Sequence, residues 1–326
     1  MKHAKYIEVK DTVFKIKYAS VTIYTYYELN GYTPPKKYRW QPEDKAYSGR
    51  VTKHVKTRIK NCIDLFLQIS PKRILYNPVT QGKHPFQLSF ITLTISNDYE
   101  NITGLRAYKE LLKPFIKWMR ETKGITTYVW KAEIQKRGQL HYHITTNEFL
   151  HYQEIQHKWN YLQHKAGLLK QFIEKHKHAN PNSTDVHSIK NLKRIDLYLS
   201  KYLAKSEEDY QEEARDNSHT QPLLAEIIMG NMLSNSEVCY HNRYEINGKV
   251  WDCSENLRGA KHFTISERDI PKSNLKKFVQ NDNLREFTTD YATILYGEPY
   301  QPLQLLDQIH TKKYNEYIAS IRGRRK

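Results

Sequence analysis

Apolar and polar positions repeat with two different periods in this chain of 326 residues, and the change of period marks out its elements. Val51, Val55, Ile59 and Ile63 recur every four residues, which predicts a helix from about Gly49 to Ile69; its other face carries Arg50, Lys53, Lys56, Arg58 and Lys60. Tyr18 to Tyr27 is rich in Tyr, Val and Thr and reads as extended, as does the apolar run Phe90-Ile-Thr-Leu-Thr-Ile95. Thr103 is placed to cap a helix running toward Thr122, with Leu105, Tyr108, Leu112 and Phe115 on one side and Pro114 interrupting it. His151 to Leu168 predicts another helix with Ile155, Trp159 and Leu162 inward, leaving His151, His157 and His164 at the surface. Val186 to Ile189 reads as a strand. The order is strand, helix, strand, strand, helix, strand, helix.

The two strands in the middle of that order carry the most informative residues, in the run from Val129 to Ile144. Side chains alternate across a strand, so His141 and His143 project from one face while Tyr142 and Ile144 turn toward a core. Glu133 lies eight residues before His141. A three-residue loop, Lys136-Arg137-Gly138 with Gly138 left-handed, sets Glu133 directly opposite His141. Glu133, His141 and His143 then form a candidate metal cluster. With 15 His in the chain, an isolated His-x-His also arises by chance on metal-free strands, so the triplet needs company.

That company is Arg194 to Lys205, where Tyr198 and Tyr202, and likewise Lys201 and Lys205, stand four residues apart. Neither Gly nor Pro occurs between Asn191 and Lys205, so a helix is expected in which each pair shares a face. Tyr is abundant here, with 25 copies, and a Tyr pair at this spacing alone is more often packing than chemistry.

Taken in order, these stretches resemble the motifs of the HUH endonucleases, and within them the rolling-circle replication initiators of plasmids and single-stranded DNA phages. Phe90 to Ile95 is similar to the family's first motif, a strand ending in Thr-Leu-Thr. His141-Tyr142-His143 with Glu133 upstream is similar to the second, with Tyr in place of the usual aliphatic residue. Tyr198-Leu-Ser-Lys201-Tyr202-Leu-Ala-Lys205 looks like the tandem Y-x-x-K-Y-x-x-K of phage-type initiators, and the His motif precedes the tyrosines as it does there. The resemblance covers residues 85 to 210. It implies an α+β fold with a central antiparallel sheet flanked by helices, a ferredoxin- or RRM-like core, bearing an accessory region at 1–84 and another at 211–326.

The resemblance also implies a reaction: a phenol attacks a DNA phosphodiester, leaving a 5′-phosphotyrosine and a free 3′-hydroxyl, and the strand is later rejoined. Tyr is a weak nucleophile at neutral pH, with an ordinary pKa of about 10, so a divalent Lewis acid is expected on Glu133, His141 and His143. Mg²⁺ or Mn²⁺ suits phosphate oxygens, and imidazoles tilt the choice toward Mn²⁺. Lys201 and Lys205 would stabilise the phenolate or the developing charge. Tyr202 is expected to make the first nick and Tyr198 the second transfer. An HUH transposase and a non-catalytic single-stranded DNA binder are the alternatives; the three cysteines, Cys62, Cys239 and Cys253, form no zinc-binding spacing, which weighs against the first.

Composition agrees with a polyanionic partner. The chain carries 52 Lys and Arg against 35 Asp and Glu, a net charge of +17, and aromatic residues make up 12% and intermingle with basic ones, as from Tyr32 to Trp40. Single-stranded DNA at a replication origin is the expected partner. No G-x-x-x-x-G-K-[ST] loop occurs, so unwinding is expected to need a host helicase, with a host DNA polymerase extending the 3′ end. Neither an apolar run of membrane-spanning length nor a signal pattern is present, and a bacterial cytoplasm is expected.

Overall fold

The computed structural model describes residues 7–29, 53–77, 81–96, 102–135, 138–189, 199, 246, 248–281, 283–289 and 292–323. In chain order these form β1 (Ile7–Ile16), β2 (Ser20–Leu29), α1 (Lys53–Ile69), β3 (Arg73–Asn77), β4 (Gly82–Phe86) and β5 (Leu88–Thr94). Then come α2 (Gly104–Ala107), a π-helical turn (Tyr108–Leu112), α3 (Lys113–Glu121), β6 (Tyr128–Ile134), β7 (Leu140–Thr146), α4 (Tyr152–Lys165), α5 (Lys170–His176) and β8 (Thr184–Ile189). After them follow β9 (Trp251–Cys253), β10 (Thr264–Ser266), α6 (Lys272–Val279), β11 (Arg285–Thr288), β12 (Thr293–Tyr296) and α7 (Gln308–Gly323).

The central sheet has the order β8-β5-β7-β6-β9 with every neighbour antiparallel. Its first four strands in sequence, with helices between β5 and β6 and between β7 and β8, form the β-α-β-β-α-β pattern of ferredoxin-like cores. The expected α+β class, an antiparallel sheet flanked by helices, is what the chain adopts.

Alternation splits the sheet between two cores. Ile91, Leu93, Trp130, Ala132, Tyr142 and Ile144 face one side and pack with Phe115, Met119, Ile155 and Trp159 of α3 and α4. Trp159 and Tyr142 are almost fully buried and meet edge to face, with centroids 6.3 Å apart; burying a large apolar side chain contributes about 1.5–3 kcal/mol. Phe90, Val129 and Cys253 face the other side and join Ile59, Ile63 and Phe66 of α1. There Cys62 and Cys253, both free and buried, meet as a hydrogen-bonded thiol pair.

A second sheet, ordered β10-β1-β2-β12-β11, combines strands from both ends of the chain. Its buried face contributes Phe14, Ile16, Val21, Ile265 and Leu295 to the core that holds α1. The predicted inward face of the helix after Thr103 needs one correction. Thr103 does cap it, its hydroxyl accepting from the Arg106 N–H at 3.2 Å, and Leu112 and Phe115 are buried, but Leu105 is 46% exposed. The cause is the π turn ahead of Pro114, in which the Lys113 N–H bonds the Tyr108 carbonyl five residues back. The extra residue in that turn rotates what precedes it off the shared face.

Candidate active site

The site is assembled by register. In the β6–β7 hairpin the Gln135 N–H bonds the Gln139 carbonyl at 2.9 Å and the Gly138 N–H bonds the Gln135 carbonyl at 2.8 Å. Gly138 sits at φ +82°, the left-handed conformation that closes the turn; Lys136 and Arg137 lie outside the described residues. Glu133 therefore stands directly opposite His141, and Lys131 opposite His143. Tyr142, at 1% exposure, and Ile144, at 0%, point the other way.

The neighbouring strand β5 then fixes the imidazoles. Thr92 pairs with His143 and Thr94 with His141, so the Thr hydroxyls share their face. Thr92 Oγ1 lies 3.1 Å from His143 Nδ1, and Thr94 Oγ1 makes a longer contact of 3.5 Å with His141 Nδ1. Hydrogen bonding at Nδ1 holds each ring so that Nε2 is the nitrogen presented. The Phe90 ring stacks on His143 at 5.4 Å, and the Trp159 indole N–H donates to the Thr94 carbonyl at 2.7 Å, tying α4 to this end of β5.

His143 Nε2 meets Glu133 Oε2 at 3.2 Å, whereas His141 Nε2 is buried and has no hydrogen-bond partner. Burial, reinforced by His143 and opposed by Glu133, pushes the His141 pKa down to about 4. His141 is accordingly a neutral imidazole at ordinary pH, the form that ligates. Two donors at right angles around one small divalent ion, each about 2.1 Å from it, lie about 3 Å apart, which the Glu133–His143 contact matches. Among the described residues no group of three His, Cys, Asp or Glu side chains stands together as a ready metal site. Glu133 and His143 thus fit a shared ion as they are. His141 supplies an orphaned ring nitrogen 6.3 Å from His143, centroid to centroid, and the three together have the donor chemistry for a divalent cation with phosphate oxygens.

Of the tandem tyrosine motif, Tyr198, Lys201, Tyr202 and Lys205 lie outside the described residues. Leu199 is described, and it is fully buried in the cluster that includes Phe90 and Val129. Those two residues belong to the face from which His141 and His143 project, so the chain at position 199 packs against that face.

Residues 88–207 match the family model for replication-associated proteins of the ORF2 type. The matched segment opens at the first residue of β5 and takes in the imidazole hairpin and positions 198 and 202, and it supports a part in replication initiation. It spans less than half of the chain. No curated protein and no solved structure matches. No described helix is long and apolar enough to cross a membrane.

Three residues of this replication-associated segment escaped the reading of the sequence as parts of the site. Thr92 and Thr94 stood out only as an apolar strand's ending, since their role depends on pairing with residues some fifty positions away. Lys131 is 4% exposed on the face of Glu133 and His143. A charged group so far from water needs anionic company. The signal for Lys131 was parity: a Lys two residues before Glu133 in a strand must share its face.

Proposed function

We propose that this protein initiates rolling-circle replication by nicking single-stranded DNA at an origin and later rejoining it. A phenol oxygen of Tyr202 attacks the phosphorus of a backbone phosphodiester. The new bond joins that oxygen to the 5′-phosphate, the bond to the 3′ oxygen breaks, and the leaving oxygen takes up a proton to become a 3′-hydroxyl. The transesterification retains the energy of the broken bond, so Tyr198 can take the strand over when a copy is complete and the ends can be joined.

Glu133, His141 and His143 would hold Mn²⁺ or Mg²⁺, whose contribution is Lewis-acid polarisation of the phosphate. Thr92 and Thr94 keep both ring nitrogens aimed outward, and Lys201 and Lys205 supply cations for the phenolate and the transition-state charge. A net charge of +17 favours the DNA strand over other partners. The reading places the protein in the cytoplasm of a bacterial host, working with that cell's helicase and polymerase.

One coincidence carries the reading: the segment matching the replication-associated family is also the one whose register gathers Glu133, His141 and His143 on one face beside Thr92 and Thr94. The test is incubation with single-stranded DNA from the same replicon, with Mn²⁺ or with EDTA, and a denaturing gel for a covalent adduct. A metal-dependent adduct mapping to Tyr202 is expected. Tyr202→Phe should abolish nicking, and Tyr198→Phe should nick once but fail in the second transfer. Binding without any adduct would move the protein to the non-catalytic class.

A further inference from the structure

The hairpin β3–β4 is a surface that the nicking chemistry does not use. Its strands pair only with each other among the described residues, in the register Ile74↔Pro85 and Tyr76↔Lys83, so these four residues share one face. That face is open: Ile74 is 69% and Tyr76 61% exposed, and Pro85 and Lys83 are exposed too. Such a ribbon is marginal alone, but its root is clamped. Arg73 reaches Glu148 through two nitrogens, at 2.5 and 3.2 Å, and the Asn147 carbonyl at 2.9 Å, while covering the Phe86 ring at 5.0 Å; Phe86 in turn meets Phe149 edge to face. A held root with an exposed apolar face is a surface awaiting a partner.

Charge says which partner. Between Asp64 and Asp98 the sequence contains no Asp or Glu, while it contributes Lys72, Arg73 and Lys83. A partner strand added from another protein is disfavoured, because Lys and Pro residues on exposed edges are what discourage such pairing. A single DNA strand would need several rings in succession, and the exposed face of the ribbon carries one, Tyr76. The major groove of duplex DNA, about 12 Å wide, admits a two-stranded ribbon. We infer that β3–β4 docks in the major groove of duplex DNA, with Ile74 and Tyr76 against base edges and Lys72 and Lys83 at phosphates. Leu88 to Thr94 is six residues of strand, about 20 Å at 3.4 Å each, so the ribbon grips duplex at a distance from the imidazoles. The inference rests on this surface alone and stands whether or not the protein nicks.

The experiment is fluorescence anisotropy of the full-length protein on duplex fragments tiled along the DNA that carries its gene, and on the same fragments as single strands. The triple variant Ile74→Ser, Tyr76→Ser, Lys83→Glu should bind the best duplex about tenfold or more weakly, keep its single-strand affinity within about twofold, and melt as the parent does. Should the triple variant melt early, Lys83→Ala decides the matter by lowering the slope of log affinity against log salt by about one. Absence of duplex binding by the parent protein, unchanged duplex affinity in the variants, or equal losses on duplex and single strand would each overturn the inference. Adduct formation on single strands, run in parallel, reports separately on the nicking reaction.

Discussion

Two hairpins in this chain obey the same alternation and end up with opposite characters. In β6–β7 both outer edges are paired, one to β9 and one to β5, so each face has a neighbour and every position has a job. Tyr142 lies between Trp130 and Trp159, at 6.0 and 6.3 Å, while His141 and His143 on the other face are held by Thr hydroxyls. In β3–β4 the edges pair with no other described strand, and the face bearing Ile74 and Tyr76 meets solvent. Alternation decides which residues share a face. What the face does is decided by what stands across from it, which is a property of the sheet and not of the hairpin.

The largest expected effect tests that difference directly, with the same residue type removed from each hairpin. Tyr142→Ala should cost about 3–5 kcal/mol of stability, the range for large core aromatics. Tyr76→Ala should stay within about 0.5 kcal/mol, as exposed substitutions do. Urea unfolding of the two variants measures both. Comparable losses would mean that the ribbon is covered in the folded protein, and the contrast between the hairpins would disappear.

A smaller effect sharpens the comparison on the site face. Thr92→Val keeps the shape and removes the hydroxyl 3.1 Å from His143 Nδ1. If the face holds a metal, Mn²⁺ affinity measured by titration calorimetry should fall about 10–100-fold, as it does when a ligand loses its outer hydrogen bond, with little change in unfolding. An unchanged affinity would make Thr92 a packing residue and leave β5 no part in aiming the imidazoles.

The local half of this arrangement was legible in the sequence. His141 and His143 on one face, Tyr142 and Ile144 on the other, Gly138 left-handed and Glu133 opposite His141 all follow from period two and one turn. The helices at α1 and α4 followed from period 3.6, with Ile59, Ile63, Ile155, Trp159 and Leu162 buried as expected. What needed coordinates was every relation set by non-local pairing. Thr92 with His143 depends on β5 choosing β7 as its neighbour, the sharing of one sheet by β1, β2, β11 and β12 on pairing across most of the chain, and the exposure of Leu105 on a π turn. Glu133 shows the limit even within the hairpin: it faces His141 in register, yet its carboxylate reaches diagonally to His143. Backbone pairing places the side chain, and charge chooses where its end goes.

The smallest effect lies in the turns, where the two hairpins again differ. Gly138 holds φ +82° with nothing within 4 Å of where a Cβ would stand, so Gly138→Ala meets no clash and is opposed only by the left-handed backbone. That conformation costs an L-residue about 1–2 kcal/mol, and a loss of that size is expected in thermal or urea unfolding. The register would survive, because the paired strands β5, β6, β7 and β9 hold it, so adduct formation by the folded protein should be unchanged. At the ribbon a non-glycine residue, Gln81, already occupies the left-handed region at φ +50°. Gln81→Gly removes that strain but adds freedom to the unfolded chain, and the two terms of about 1 kcal/mol oppose each other. A change smaller than that of Gly138→Ala is expected. A large gain from Gln81→Gly would show that the ribbon turn is strained by its surroundings, as a turn pressed into a fixed position would be.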